Sequence, residues 1–404
     1  MINRKTWREA VMELPVFDTH THLNMPGVPI PAQTIWDIAH YFWFQEELWS
    51  VGYPSNAPEL PEETRIEAFT EAFNAVRNTT WHLMVRRICE DLYGVSLTDS
   101  DGRCTPGRVR DVDTAVRASA KRPDWSRSVI DRLAIRRITV NSIRDNNFPG
   151  LPGVSVSVPT WDEAQMWSDK LIQSQNVETT LDEAQKALET RIKQFGDQGI
   201  RGMRVNASVF ESKGKAAVDL QDPPQPSGLE RWEANAILAH RIFDVLGRYG
   251  MFAQLFLGIE RDVAPHTAMA VNNPRRITNL YPLFETHNCD FELVVGSPQN
   301  NMDTAQAARI YPNVYAGGLW WYNFRSSTYR HTMQVRLEAV PASKSAIIAS
   351  DARCIEWCYG KILLVKQLLA DFLYEQMVKG WIDENDARWV AREWLHDSAA
   401  RRYL

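Results

Sequence analysis

"PVFDTHTHLN", Pro15 to Asn24, is the stretch from which the rest of the chain is read. Val16 and Phe17 open it as a short buried strand, and successive strand residues point to opposite faces. Asp18, His20 and His22 are therefore expected on one face, with Thr19 and Thr21 on the other. Two imidazoles side by side at a strand end can hold one metal ion.

Working outward, seven more short apolar runs follow, each leading through polar or glycine-containing turns into a helical pattern. They are "AIRRITVN" (134–141), "GVSVSVP" (153–159), "IRGMRVN" (200–206), "MFAQLFLG" (251–258), "DFELVVG" (290–296), "NVYAGGLW" (313–320) and "SAIIASD" (345–351). Alternating β and α units with buried strands predict a parallel sheet, and eight of them predict an α/β fold closed as a (β/α)8 TIM barrel. The spacing is uneven, so the barrel is expected to be distorted. Residues 21–133 separate the first two runs and carry helical apolar periodicity, which assigns 30–130 to a helical insertion capping the barrel mouth. From Tyr359 to Leu404 the chain again reads as amphipathic helix, and 1–404 is taken as a single barrel domain. Pro and Gly concentrate in two loops, 148–154 and 222–229, and no internal repeat interrupts the pattern.

Composition narrows the function. At 404 residues and 44% hydrophobic content a large core is available, and a net charge of −5 gives no electrostatic case for a nucleic-acid partner. Five scattered cysteines, with only Cys354 and Cys358 close, read as reduced packing residues. "MINRKTWREAVMELP" lacks the apolar run of a signal peptide and no segment has eighteen uninterrupted apolar residues, so a soluble, cytoplasmic protein without a membrane partner is expected.

In a barrel the residues that do chemistry sit at the C-terminal ends of the strands. His20 and His22 end the first, and Asp351 ends the eighth, its neighbour on closure. Two imidazoles and a carboxylate leave positions open for water or substrate, the layout of a catalytic metal site. The plainer reading makes the histidines polar residues at an exposed strand end; the placement of Asp351 favours the metal. Such a donor set suits one divalent ion, which could be zinc, manganese or iron.

Five motifs in order carry a resemblance: "FDTHTHL" (17–23), "AHYFWFQEELWSVG" (39–52), "TWHLMVRRICEDLYGVSL" (80–97), "GLWWYN" (318–323) and "SDARC" (350–354). Together they resemble the uronate isomerase branch of the amidohydrolase superfamily, over most of the chain. The resemblance implies an aldose–ketose isomerase acting on a hexuronate, D-glucuronate or D-galacturonate, on a distorted barrel with one divalent metal held by His20, His22 and Asp351. It places His40 and Tyr41 at the reacting end of the sugar, with Asp351 and Tyr41 as acid and base. Arg353 would hold substrate, and Arg204 and Arg261 would join it. Trp320 and Trp321 could stack on the sugar, although alternation puts only one of them toward a pocket. "VSVSVPTWDEA" has no lysine to bridge two metals, which favours a mononuclear site.

Departures from the family pattern fall in the substrate-binding half. An arginine expected after 153–159 is missing, Asn206 to Ser208 replace an Asp-His pair after Arg204, and Phe256 stands where a histidine is expected. Losing a polar anchor changes which hydroxylated substrates are held. The alternative reading is therefore a mononuclear metal-dependent hydrolase or lactonase of the same superfamily, in which water attacks a carbonyl. A third is a sugar-acid-binding barrel without activity, against which stand the metal ligands and the His40-Tyr41 pair. His82 reads equally as pocket closure or helix packing, and His266 as a solvated loop residue. Barrels of this size frequently assemble, so a homo-oligomer is expected.

Overall fold

The computed structural model describes residues 2–23, 29–141, 151–205, 229–264, 267–270, 273–320 and 324–404, with the backbone alone for 260–264 and 267–270. Nine strands lie among the described residues: β1 (Val16–Thr21), β2 (Ile135–Val140), β3 (Ser155–Ser157), β4 (Gly202–Val205), β5 (Phe252–Leu257), β6 (Ile259–Ala264), β7 (Thr267–Ala270), β8 (Asp290–Val295) and β9 (Val314–Ala316). β1-β2-β3 and β4-β5-β8-β9 are two parallel ladders.

Backbone hydrogen bonds join these ladders into a ring. Arg204 N donates to Pro159 O at 2.9 Å, linking the β3 end to β4. Segment 345–351 forms no regular strand, yet Ala346 N donates to Ala316 O at 2.9 Å on one side. On the other, Thr19 N donates to Ile348 O at 3.2 Å and Asp351 N to His20 O at 2.9 Å. Counting that segment, eight parallel staves close the barrel. Short ladders and isolated bridges are the distortion that the uneven spacing predicts. The antiparallel β6–β7 hairpin escaped the sequence reading because Glu260, Arg261 and Asp262 break any apolar alternation.

Helices α1 (Arg4–Glu13), α2 (Ile35–Ala39), α3 (Phe42–Trp49), α4 (Glu62–Ala75), α5 (Thr80–Ile88), α6 (Pro106–Ala120) and α7 (Trp125–Asp131) precede β2, six of them between β1 and β2. α8 (Ala164–Gln173), α9 (Val177–Asp197), α10 (Arg231–Arg248), α11 (Tyr281–Thr286) and α12 (Asn300–Ile310) follow. α13 (Ser326–Ala339), α14 (Ile355–Val378), α15 (Glu384–Arg392) and α16 (Ser398–Tyr403) are the last helices of the described residues. The C-terminal run read as helix is thus broken, with Asp383 capping α15 by accepting from Asp386 N. Among the described residues no helix is long and apolar enough to cross a membrane.

The helices between β1 and β2 are tied to the barrel through α14. Glu356, fully buried, accepts from Ala32 N at 3.0 Å, Tyr93 Oη at 3.0 Å and Trp125 Nε1 at 2.8 Å. One carboxylate thus satisfies three donors from three parts of that region. Glu356→Leu leaves those donors without an acceptor, and at roughly 1 kcal/mol or more each the variant is expected to lose at least about 3 kcal/mol of unfolding free energy. Urea denaturation followed by circular dichroism reads this loss.

The barrel interior is layered along β5. Phe252 lies at the floor against Tyr403 (ring centroids 4.7 Å), Gln254 is in the middle, and Phe256 is at the top against His20 (4.3 Å). Tyr403 also meets Phe17 at 5.1 Å. Its hydroxyl accepts from Gln254 Nε2 and donates to Glu292 Oε1, each at 2.7 Å, while Arg402 Nε donates to Glu292 Oε2 at 2.8 Å. The last turn of the chain therefore plugs the barrel floor with a polar network.

Candidate metal centre

At the opposite end of the barrel His20 Nε2 lies 2.9 Å and His22 Nε2 3.1 Å from the same atom, Asp351 Oδ1. Ligand atoms of the three residues lie within 4.8 Å of one another, and among the described residues this is the one such group that could hold a metal. His20 and Asp351 are buried, whereas the His22 side chain is 24% exposed and opens the cluster on one side. Burial drives His20 down to about 3, so its imidazole is neutral at physiological pH. Burial opposes ionisation of Asp351, but the imidazoles, His22 foremost, hold its carboxyl well below the usual range. A neutral imidazole and a carboxylate converging on one point fit a divalent ion.

Asp18 does not join them. The register of β1 slips between Val16 and Phe17 and again between Asp18 and Thr21, so strict alternation fails. Phe17 and His20, three residues apart, both touch barrel-interior rings, and Asp18 turns instead to Ser350, whose N–H donates to its Oδ1 at 2.9 Å, and to Cys358. Burial raises the Asp18 carboxyl to about 6. The expectation that Asp18 shares a face with the two histidines is corrected by this slip.

The second oxygen of Asp351 is held from the helices between β1 and β2. Tyr41 Oη donates to Asp351 Oδ2 at 3.1 Å and to its backbone carbonyl at 2.9 Å, and Trp43 Nε1 donates to Oδ2 at 3.1 Å. Tyr41 is clamped between the rings of Trp81 (5.5 Å) and Trp357 (4.9 Å). Burial raises its phenol well above the ordinary value, so it stays protonated. Asp351 itself has a φ of 58°, a left-handed conformation that costs a β-carbon residue free energy but that Asp tolerates better than most. Trp43 escaped the sequence reading because nothing in its spacing separates it from the core tryptophans beside it.

The other candidates are placed as follows. His40 makes no hydrogen bond, ion pair or ring contact with the three clustered residues; its Nε2 is 2.7 Å from Tyr53 Oη, and burial lowers it to about 4. Arg353 is exposed, close enough for its charge to act on Tyr41, and makes no hydrogen bond or ion pair among the described residues. Phe256 is packed against both His20 and Trp320 (4.9 Å), with the Arg204 guanidinium 4.1 Å over its ring. A stacked cation–aromatic layer thus backs His20 where a polar anchor was expected. The side chain of Arg261, and Trp321, His266 and Asn206 to Ser208, lie outside the described residues. His82 stacks on Phe73 at 4.1 Å, in keeping with helix packing.

No family model and no curated protein matches the sequence. Among solved structures, the chain is similar to a uronate isomerase from Thermotoga maritima (TM-score 0.77, 13% identity, covering 99% of this chain and 97% of that one). It is similar to a uronate isomerase from Bacillus halodurans C-125 (0.75, 15%, 99% and 97%) and a glucuronate isomerase from Caulobacter crescentus (0.74, 13%, 99% and 94%).

Proposed function

From the uronate isomerase fold that this chain shares end to end, we propose that the protein is a metal-dependent aldose–ketose isomerase acting on a hexuronate such as D-glucuronate or D-galacturonate. The observation that carries the reading is the meeting of the Tyr41 phenol and both histidines on one carboxylate, Asp351. His20, His22 and Asp351 Oδ1 would hold a divalent ion such as zinc, which when bound polarises the sugar's oxygen atoms.

The remaining work falls to the chain's own side chains. Asp351 Oδ2 takes the proton from C2, and the electrons of that C–H bond form the C1–C2 double bond. Tyr41 Oη, hydrogen-bonded to the same oxygen, gives its proton to the C1 oxygen. In the return half, the C2 hydroxyl proton goes back to Tyr41 and Asp351 delivers its proton to C1. The C2 carbonyl forms, and no water is consumed. Trp43 fixes the carboxylate that performs both transfers. The exposed guanidinium of Arg353 suits the substrate carboxylate, and Arg204 with the Phe256 and Trp320 rings forms the wall behind His20.

The test is to incubate the metal-loaded protein with each uronate and follow the ketose. Ketose is expected, with turnover reduced roughly 10²–10⁴-fold in Tyr41→Phe, the range for losing one proton-transfer group. Absence of ketose from both sugars overturns the proposal.

A further inference from the structure

Lys361, on α14, carries an ammonium group into the interior of the protein, where the residue is only 3% exposed. Among the described residues its Nζ makes one hydrogen bond, at 3.1 Å to the carbonyl oxygen of Ser350. That carbonyl belongs to the peptide joining Ser350 to Asp351, and the N–H of the same peptide donates to His20 O at 2.9 Å. The planar unit is therefore fixed at both of its polar ends, by the strand that carries the histidines and by a buried cation. On the other side of Ser350, its own N–H donates to Asp18 Oδ1 at 2.9 Å. The orientation of the 350–351 plane sets φ of Asp351, which at 58° lies in the left-handed region. A residue with a β-carbon stays there only where its surroundings over-determine it.

We propose that Lys361 is a positioning residue for the metal centre: by holding the Ser350–Asp351 peptide it keeps Asp351 in its left-handed conformation, with the carboxylate where His20 and His22 converge. Burying an ammonium is costly unless it is paired and hydrogen-bonded, and here its charge acts on the carboxylates of Asp351 and Asp18. Asp18, which takes no part in the cluster, anchors the other side of Ser350. Without Lys361 the carbonyl loses its donor and the peptide plane can turn. Relaxation of Asp351 to a negative φ then carries Oδ1 away from the imidazoles. A second lysine on α14 supplies the comparison. Lys366 is fully buried and donates to Met12 O at 2.8 Å, Leu14 O at 2.7 Å and Leu133 O at 2.9 Å. Those carbonyls precede β1 and β2, at the opposite end of the strands from the histidines. If burial and hydrogen bonding alone mattered, Lys366 would affect the protein more than Lys361. The proposal rests on the metal-centre reading above and is independent of which sugar is turned over.

Zinc affinity of the full chain, measured by competition with a chromophoric chelator, tests it. Lys361→Met keeps the length of the side chain and removes its charge and donor. It is expected to weaken zinc binding about 10–100-fold, the range for losing a group that orients a metal ligand. Lys366→Met gives up three hydrogen bonds instead of one and should leave zinc affinity unchanged. At saturating cobalt the visible spectrum, which reports ligand geometry, should change in Lys361→Met and not in Lys366→Met. Lys361→Gln, neutral and one atom shorter, decides the matter if the methionine variant fails to fold. Wild-type zinc affinity in the Lys361 variants, an equal loss in Lys366→Met, or an unaltered cobalt spectrum overturns the proposal. No zinc binding by the wild type overturns the metal centre itself, which separates failure of that reading from failure of this one.

Discussion

Asp351→Asn is expected to lose bound metal on gel filtration and to lower turnover by roughly 10²–10⁴-fold. Asparagine keeps the shape of the side chain and also tolerates the left-handed backbone at this position (φ 58°), so the fold should survive. What it removes is the negative charge on which His20 and His22 converge and the oxygen that accepts from both Tyr41 and Trp43. Both halves of the proposed chemistry therefore fail together. Metal content by elemental analysis, set beside turnover, separates them. Full metal with lost turnover assigns Asp351 to proton transfer alone, and full metal with full turnover removes it from the site.

The largest effect on stability is expected at the other end of the barrel. Glu292 is completely buried and Arg402 is 5% exposed at its side chain. Arg402→Ala leaves a charged carboxylate inside the barrel, with only Tyr403 Oη and Gln254 Nε2 donating to it among the described residues. Breaking a buried ion pair by removing one partner costs about 3–5 kcal/mol, because the remaining charge stays desolvated. Urea denaturation should show the midpoint falling by that free energy divided by the slope, with the slope itself unchanged. Combining it with Glu292→Gln removes the stranded charge and should recover part of the loss. A double variant no more stable than Arg402→Ala alone would mean that lost packing of Arg402 over the Tyr315 ring, 4.3 Å away, dominates instead.

Much of the barrel is legible in the sequence because strand and helix patterns are local. Each apolar run of Val, Ile and Phe marks a stave within a few residues, and the interval 21–133 announces the helices that separate β1 from β2. The encounter of His20 and His22 with Asp351 is legible for a related reason: each ends a stave, and a closed barrel makes its first and last staves neighbours. The alternating β/α order and the chemical types gathered at one end of the ring therefore follow from local pattern.

Long-range pairing and packing set the remaining features. The register slip in β1 sends Asp18 to Ser350 and Cys358 instead of to the histidines, because pairing with two neighbours, and not the strand's own alternation, sets where each side chain points. Trp43 bonds to a carboxylate 308 positions away, and Arg402 to one 110 positions away. Contacts of that kind depend on closure of the barrel and packing of the helices against it. No local pattern encodes which of fifteen tryptophans meets an aspartate, since a tryptophan that holds the site and one that fills the core obey the same hydrophobic spacing.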